Sequence, residues 1–238
     1  DMTLNAGDLA VENFQYDAVS DDSQFIYRLG AQYEFNRDLM VYASYGTGYK
    51  GVGWYNAISN APADIADAEK NPISPEKSKS MEFGIRSDWM DRKLRLNASL
   101  FKTEYEDFQE RVRQIDEDSE LGESGEVIGK PLFVNAGKVI SQGLELEMKA
   151  LVTDDFTLSG TAAYIDAYYD DFGDFFQNCP VKLRGTDECT TLTQSHNNKP
   201  LEALVLDGRT LARAPKTQFR IDARYDFDLM EQDAFVRL

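Results

Sequence analysis

Gln24-Phe25-Ile26-Tyr27-Arg28-Leu29-Gly30-Ala31-Gln32-Tyr33-Glu34-Phe35 sets Phe25, Tyr27, Leu29, Ala31, Tyr33 and Phe35 on odd positions and Gln24, Arg28, Gln32 and Glu34 on even ones. Only a period of two puts every odd side chain on one side, so the segment reads as a β-strand with an apolar face and a polar face. After Asn36-Arg37-Asp38 the apolar odd positions resume with Leu39, Val41, Ala43 and Tyr45, opposite Ser44, Gly46 and Gly48. That pattern predicts a hairpin with a tight turn.

The same alternation returns along the chain. Met81, Phe83, Ile85 and Trp89 stand against Ser80, Glu82, Arg86 and Asp88; across Met90-Asp91-Arg92 follow Leu94, Leu96, Ala98 and Leu100 against Arg95, Asn97 and Ser99. Leu144, Leu146, Met148 and Ala150 oppose Glu145, Glu147 and Lys149, and beyond Thr153-Asp154-Asp155 a less regular strand runs from Phe156 to Tyr169. Phe219, Ile221, Ala223, Tyr225 and Phe227 alternate with Gln218, Arg220, Asp222, Arg224 and Asp226, and a further strand begins near Asp233. Short turns follow Phe35, Trp89, Val152 and Asp228, whereas residues 50–78, 106–137 and 170–213 form long connections that all fall at one end. The expected fold is all-β: a segment of an antiparallel transmembrane β-barrel, about eight strands, with short periplasmic turns and long extracellular loops.

Aromatic residues are expected in two belts. Tyr33, Phe35, Trp89, Phe156, Tyr225 and Phe227 fall near the short-turn end, and Tyr27, Tyr45, Tyr49, Tyr105, Tyr164 and Phe219 near the other. Two girdles of amphipathic rings are what a bilayer's two interfaces select, whereas a soluble sandwich, which also alternates, has no reason to build them. A mean hydropathy of -0.48 with 28% charged residues fits no transmembrane helix. It fits a barrel, whose strands contribute apolar groups only at every second position. The sequence starts at Asp1 without a basic, apolar leader, so a signal peptide is expected to lie upstream or to have been removed.

The net charge is -17. Residues 104–126 concentrate acid at Glu104, Glu106, Asp107, Glu110, Asp116, Glu117, Asp118, Glu120, Glu123 and Glu126, relieved only by Arg111 and Arg113. No cluster of Lys and Arg offers to neutralise phosphates, which argues against nucleic acid as a partner. A like-charge run of this kind reads as a solvated loop, with capture of a cationic ligand or divalent ion as the sharper alternative.

Five segments resemble TonB-dependent outer-membrane receptors, in the order and spacing of that family. They are Val41-Tyr42-Ala43-Ser44-Tyr45-Gly46-Thr47-Gly48-Tyr49-Lys50-Gly51-Val52-Gly53-Trp54-Tyr55-Asn56, Pro75-Glu76-Lys77-Ser78-Lys79-Ser80-Met81-Glu82-Phe83-Gly84, Leu94-Arg95-Leu96-Asn97-Ala98-Ser99-Leu100-Phe101, Asn135-Ala136-Gly137-Lys138 leading to Gln142-Gly143-Leu144-Glu145-Leu146-Glu147, and Arg213-Ala214-Pro215-Lys216-Thr217. The resemblance implies a barrel of about 22 strands around an N-terminal plug. It also implies active import of a scarce nutrient such as an iron–siderophore complex, driven by a TonB complex that engages an N-terminal region. Residues 1–238 hold no recognisable plug and are therefore expected to be part of the barrel domain, with the plug and the other strands elsewhere. The expected setting is the outer membrane of a Gram-negative cell, with its lipid as a partner. No cofactor is implied. A passive pore, a small structural barrel and an outer-membrane hydrolase are the alternatives.

Candidate site residues come from the long connections. Trp54, Tyr55, Asn56, Tyr168 and Tyr169 offer rings and an amide for a flat or polar ligand, though such rings also serve as interface anchors or loop cores. Cys179 and Cys189, the two cysteines, are expected to form a disulfide in an oxidising compartment. Asp166, Asp170, Asp171 and Asp174 could collect calcium, but their spacing is not that of an EF-hand and the run reads first as a solvated acidic loop, so no metal is expected. His196, the only histidine, sits among Thr191, Thr193, Gln194, Ser195, Asn197 and Asn198, which is loop composition rather than a catalytic triad, and no enzyme activity is expected.

Overall fold

The computed structural model describes residues 22–53, 72–114, 120–121, 127–128, 130–172, 177–179, 181–183, 185–196, 199–230 and 232–238. Its strands are β1 (Arg28–Asn36), β2 (Leu39–Lys50), β3 (Glu76–Trp89), β4 (Leu94–Glu106), β5 (Gln109–Gln114), β6 (Glu120–Leu121), β7 (Val127–Ile128), β8 (Lys130–Asn135), β9 (Lys138–Leu151), β10 (Phe156–Asp171), β11 (Gln177–Asn178), β12 (Cys189–His196), β13 (Lys199–Leu204), β14 (Thr217–Leu229) and β15 (Gln232–Arg237). Eight of them make one sheet in the order β1-β2-β3-β4-β9-β10-β14-β15, every neighbouring pair antiparallel. The sheet is open, with β1 and β15 at its edges.

Register turns the alternation of single strands into two continuous faces. One row runs Tyr33–Val41–Ile85–Ala98–Leu146–Ala162–Phe219, and its neighbour runs Ala31–Ala43–Phe83–Leu100–Leu144–Tyr164. Displaced by one residue, on the other side of the sheet, the row reads Glu34–Met40–Arg86–Asn97–Glu147–Thr161–Arg220. The apolar face is bare. Phe219 is 79% exposed, Ile221 70% and Leu100 56%. Side chains of that size forfeit about 1.5–3 kcal/mol each when left in water, so a whole face of them is stable only against hydrocarbon.

At the short-turn end, Met90, Asp91 and Arg92 all take left-handed φ (56°, 52° and 68°), and Lys93 N–H closes the turn on the Met90 carbonyl at 3.1 Å. Arg92 Nε donates to Asp38 Oδ1 at 3.0 Å and so ties this turn to the one between β1 and β2. At the opposite end β3, β4, β9 and β10 continue past the last fully apolar row. There they carry small satellites: β5 paired with β8, β6 with β7, and the three-stranded sheet β11-β13-β12. The buried core of the described residues lies in this end, in Val112, Val134, Ala136, Val139, Tyr169, Phe172 and Leu206.

Tyr105 departs from the expected outer belt. Outward positions on β4 are the even ones (Leu96, Ala98, Leu100), so odd Tyr105 turns to the inner side and packs on the loop core, its ring 6.0 Å from that of Phe108. The other belt residues of β1 and β14 pair along their strands, Tyr33 with Phe35 at 4.9 Å and Tyr225 with Phe227 at 6.3 Å between centroids.

Candidate functional site

The polar face is the concave one. Glu34, Arg86, Asn97, Glu147, Thr161 and Arg220, from six strands, line a single open hollow of about 930 Å³, which requires the sheet to curl until its first and seventh strands look onto the same space. Some of its charges are paired: Arg95 grips Asp88 through Nε (2.7 Å) and Nη2 (3.1 Å), Asn97 Nδ2 donates to Glu147 at 2.9 Å, and at its edge Arg220 shares Asp222 with Arg237 at 3.3 and 2.8 Å. Two rings lie flat on the same wall where a glycine opposite leaves room. Tyr42 covers Gly84 and donates from its hydroxyl to Glu82 at 2.5 Å, and Phe101 covers Gly143. Arg86 in turn sits over the Tyr42 ring, 5.4 Å from its centroid. Such a surface can hold water and polar groups.

Above the hollow the loop bases are tied together. Gln109 is 6% exposed; its Nε2 donates to the carbonyls of Gly51 (2.9 Å) and Ser74 (3.0 Å), and its N–H donates to Glu76 Oε2 (2.9 Å). Asn135 Nδ2 donates to the carbonyls of Ser74 and Asp107, both at 2.8 Å, and Asn135 Oδ1 accepts from Ser74 N–H at 2.8 Å. The third connection joins through Tyr169, whose hydroxyl donates to Glu110 at 3.2 Å, and through Phe172, whose N–H donates to Asp207 at 2.8 Å. Burial, and then the neighbouring Glu110 carboxylate, pushes the Tyr169 hydroxyl up to about 12. Sequence reading does not single out Gln109, and it notes Glu110 only within an acidic run and Asn135 only within a motif, because their partners are more than twenty residues away.

Of the residues expected to meet ligand, Tyr168 and Tyr169 lie on opposite sides of the wall. Adjacent positions on a strand face opposite ways, so Tyr169 packs into the inner core while half-buried Tyr168 shares the outward side with Tyr164. Trp54, Tyr55 and Asn56 lie outside the described residues, as does Asp174. Asp166 pairs with Lys216 at 3.1 Å and Asp170 with Lys138 at 3.3 Å, and Asp171 ends β10. Among the described residues no three His, Cys, Asp or Glu side chains converge as a metal site. The sulfurs of Cys179 and Cys189 are bonded, joining the end of β11 to the start of β12 with the Cα atoms 5.9 Å apart.

A wall with a bare apolar outside, a charged concave inside and all its long loops at one end is the anatomy of an outer-membrane barrel. Residues 4–236 match the family model described as TonB dependent receptor-like, beta-barrel. The chain belongs to this family. As part of a TonB-dependent receptor barrel it resides in the outer membrane. It is 27% identical over 152 residues, 64% of its length, to a probable TonB-dependent siderophore receptor, PiuA, of Acinetobacter baumannii. It is 29% identical over 151 residues, 63% of its length, to a probable TonB-dependent receptor, BfrD, of Bordetella pertussis. The chain spans 18% of each of these curated relatives. The crystal structure of the ferric yersiniabactin uptake receptor FyuA from Yersinia pestis superposes with a TM-score of 0.57 and 20% identity, over 92% of this chain and 25% of that one.

Proposed function

We propose that the receptor to which this wall belongs imports an iron chelate of siderophore type, using energy delivered by a TonB complex through the receptor's N-terminal region. The observation that carries this reading is the family match over residues 4–236, with a siderophore receptor among the relatives at 27% identity. The charged concave face supports it. A wide lumen tolerates side chains such as Arg86, Glu145 and Lys149 because water or a polar domain meets them, whereas a tightly filled small barrel would have to pair every one. Ligand is captured on the outer loops by Trp54, Tyr55 and Asn56, and Tyr169 serves that surface by holding the loop bases in place, while outward-facing Tyr168 is left as an anchor of the wall.

The test is uptake of radioactive iron as a panel of siderophore complexes into cells carrying the full-length receptor. Accumulation with one chelate, abolished by a proton uncoupler and by loss of TonB, is the expected result. Steady ion conductance through the purified receptor without energy input would instead establish a passive pore. Replacing Trp54 and Tyr55 with Ala should weaken chelate binding by about 2 kcal/mol if the rings are hot spots, with the amount of folded receptor in the membrane unchanged. Undiminished affinity would remove both from the site.

A further inference from the structure

One buried side chain holds both ends of the first long connection. Gln109 opens β5, in the second connection, and its Nε2 carries two N–H donors. They serve the carbonyl of Gly51, where the chain has just left β2, and the carbonyl of Ser74, where it is about to enter β3, at 2.9 and 3.0 Å. These partners are 58 and 35 residues away in sequence. Gln109 is itself fixed, because its backbone N–H donates to Glu76 Oε2 and Lys50 meets the same oxygen at 3.7 Å.

Just beyond this clasp Gly53 and Ile73 exchange both backbone hydrogen bonds, at 3.1 and 2.8 Å. Ile73 is 5% exposed, and a Cβ on Gly53 would touch both it and the Phe133 ring of β8 at 3.5 Å. The first connection therefore departs and returns through a neck one backbone pair wide. Trp54, Tyr55 and Asn56 follow that neck directly in sequence. Asn135 also holds Ser74, but among the described residues Gln109 is the side chain that grips the outgoing and the returning end together.

We propose that Gln109 is a positioning residue for ligand capture: from the second connection its amide fixes the neck of the first, and so sets the affinity of the outer surface for a ferric chelate. This role rests on the chelate-import reading, and buried Gln109 acts through the neck rather than on the chelate. A released neck offers many exits of which few suit the chelate, and apparent affinity falls by the fraction that does.

Gln109→Glu keeps the size of the side chain and removes both donors. The titratable groups on the adjoining elements are Lys50 on β2, Glu76 on β3, Asp107 after β4, Glu110 on β5 and Tyr169 on β10. Burial and the facing carbonyls hold the new carboxyl above the ordinary carboxylate range, so it is charged at about pH 8 and regains one donor by protonation at about pH 5.

The experiment measures equilibrium binding of radioactive ferric hydroxamate, catecholate and hydroxycarboxylate complexes to outer membranes carrying the complete receptor, without energy input. For the complex that wild type binds, Gln109→Glu should raise Kd about tenfold over wild type at about pH 8 and only about twofold at about pH 5, with the number of sites unchanged. Gln109→Ala should bind weakly at both. A merely structural role would lower the number of sites and leave Kd alone. Amide exchange at Gly53 and Ile73 should quicken wherever Kd rises. Wild-type Kd in Gln109→Glu at both pH values would overturn the role of Gln109 while leaving import standing, as would weaker binding with unaltered exchange at Gly53 and Ile73. A wild-type receptor that binds none of the complexes would end the import reading and this role with it.

Discussion

A Cβ on Gly143 would collide with the Tyr164 carbonyl oxygen and press within 3.1 Å of the Phe101 ring. Neither the backbone of β10 nor a ring lying on the wall has room to retreat, so Gly143→Ala should cost about 1–3 kcal/mol and lower the fraction of receptor that migrates as a heat-resistant folded species. Gly84 is different in kind, because the three atoms nearest to its Cβ would all belong to the Tyr42 side chain and none to backbone. Gly84→Ala should therefore destabilise alone and recover when combined with Tyr42→Ala; a double variant as poor as the single one would show that the backbone itself requires glycine there. Tyr169 bears on pH. Its hydroxyl, pushed up to about 12 against about 10 for a free phenol, stays neutral in the folded protein at a pH where an unfolded chain has lost the proton. The stability it contributes is complete below pH about 10 and is lost as pH rises through about 12. In an alkaline absorbance titration Tyr169→Phe should remove amplitude from the latest tyrosine phase, and an unchanged curve would place the late phase elsewhere.

The three long connections behave at their bases as one element. Asn135 alone links Ser74, ahead of β3, to Asp107, beyond β4, by three hydrogen bonds. Asn135→Ala should cost about 1–3 kcal/mol locally, and hydrogen exchange should rise together around residues 51–53, 72–76 and 107–109 while the wall strands stay protected. Acceleration at only one of the three segments would show that they are not coupled. Reduction of Cys179–Cys189 should release about 2–3 kcal/mol of restraint on the β11-β13-β12 sheet and leave barrel assembly unaffected, as read by protease cleavage of that loop. The wall elements were legible in the sequence because lipid on one side and a polar lumen on the other force strict alternation. The satellite sheets β5–β8 and β11-β13-β12 were not, since each packs on a local surface with no uniform solvent to imprint a period. Tyr105 and the pair Tyr168 and Tyr169 show the cost of reading residue type without parity: position along the strand already assigns Tyr105 inward and parts the two tyrosines. The ties made by Gln109, Glu110 and Asn135 exist only once strands distant in sequence have been brought into register.

Across the whole molecule the usual relation of core and surface is inverted. The largest apolar side chains of the wall are bare, and at the level of the apolar rows the charges are gathered on the concave side, so the bilayer is as much a part of the folded state as any strand. Leu146 and Glu145 make this testable with neighbours on one strand. Leu146 stands mid-row between Ala98 and Ala162 on the lipid side, and Glu145 stands between Ser99 and Ala163 on the lumen side. Leu146→Arg brings a charge to the hydrocarbon and should cost about 2–4 kcal/mol if the position lies near the midplane, less toward either interface. Glu145→Arg changes the charge by twice as much but in an aqueous lumen, and should leave assembly close to wild type. The comparison is the yield of heat-resistant receptor in the outer membrane, normalised to total expression. Equal loss in both variants would mean that both faces of β9 are packed against protein, and the assignment of the apolar face to lipid would fall with it.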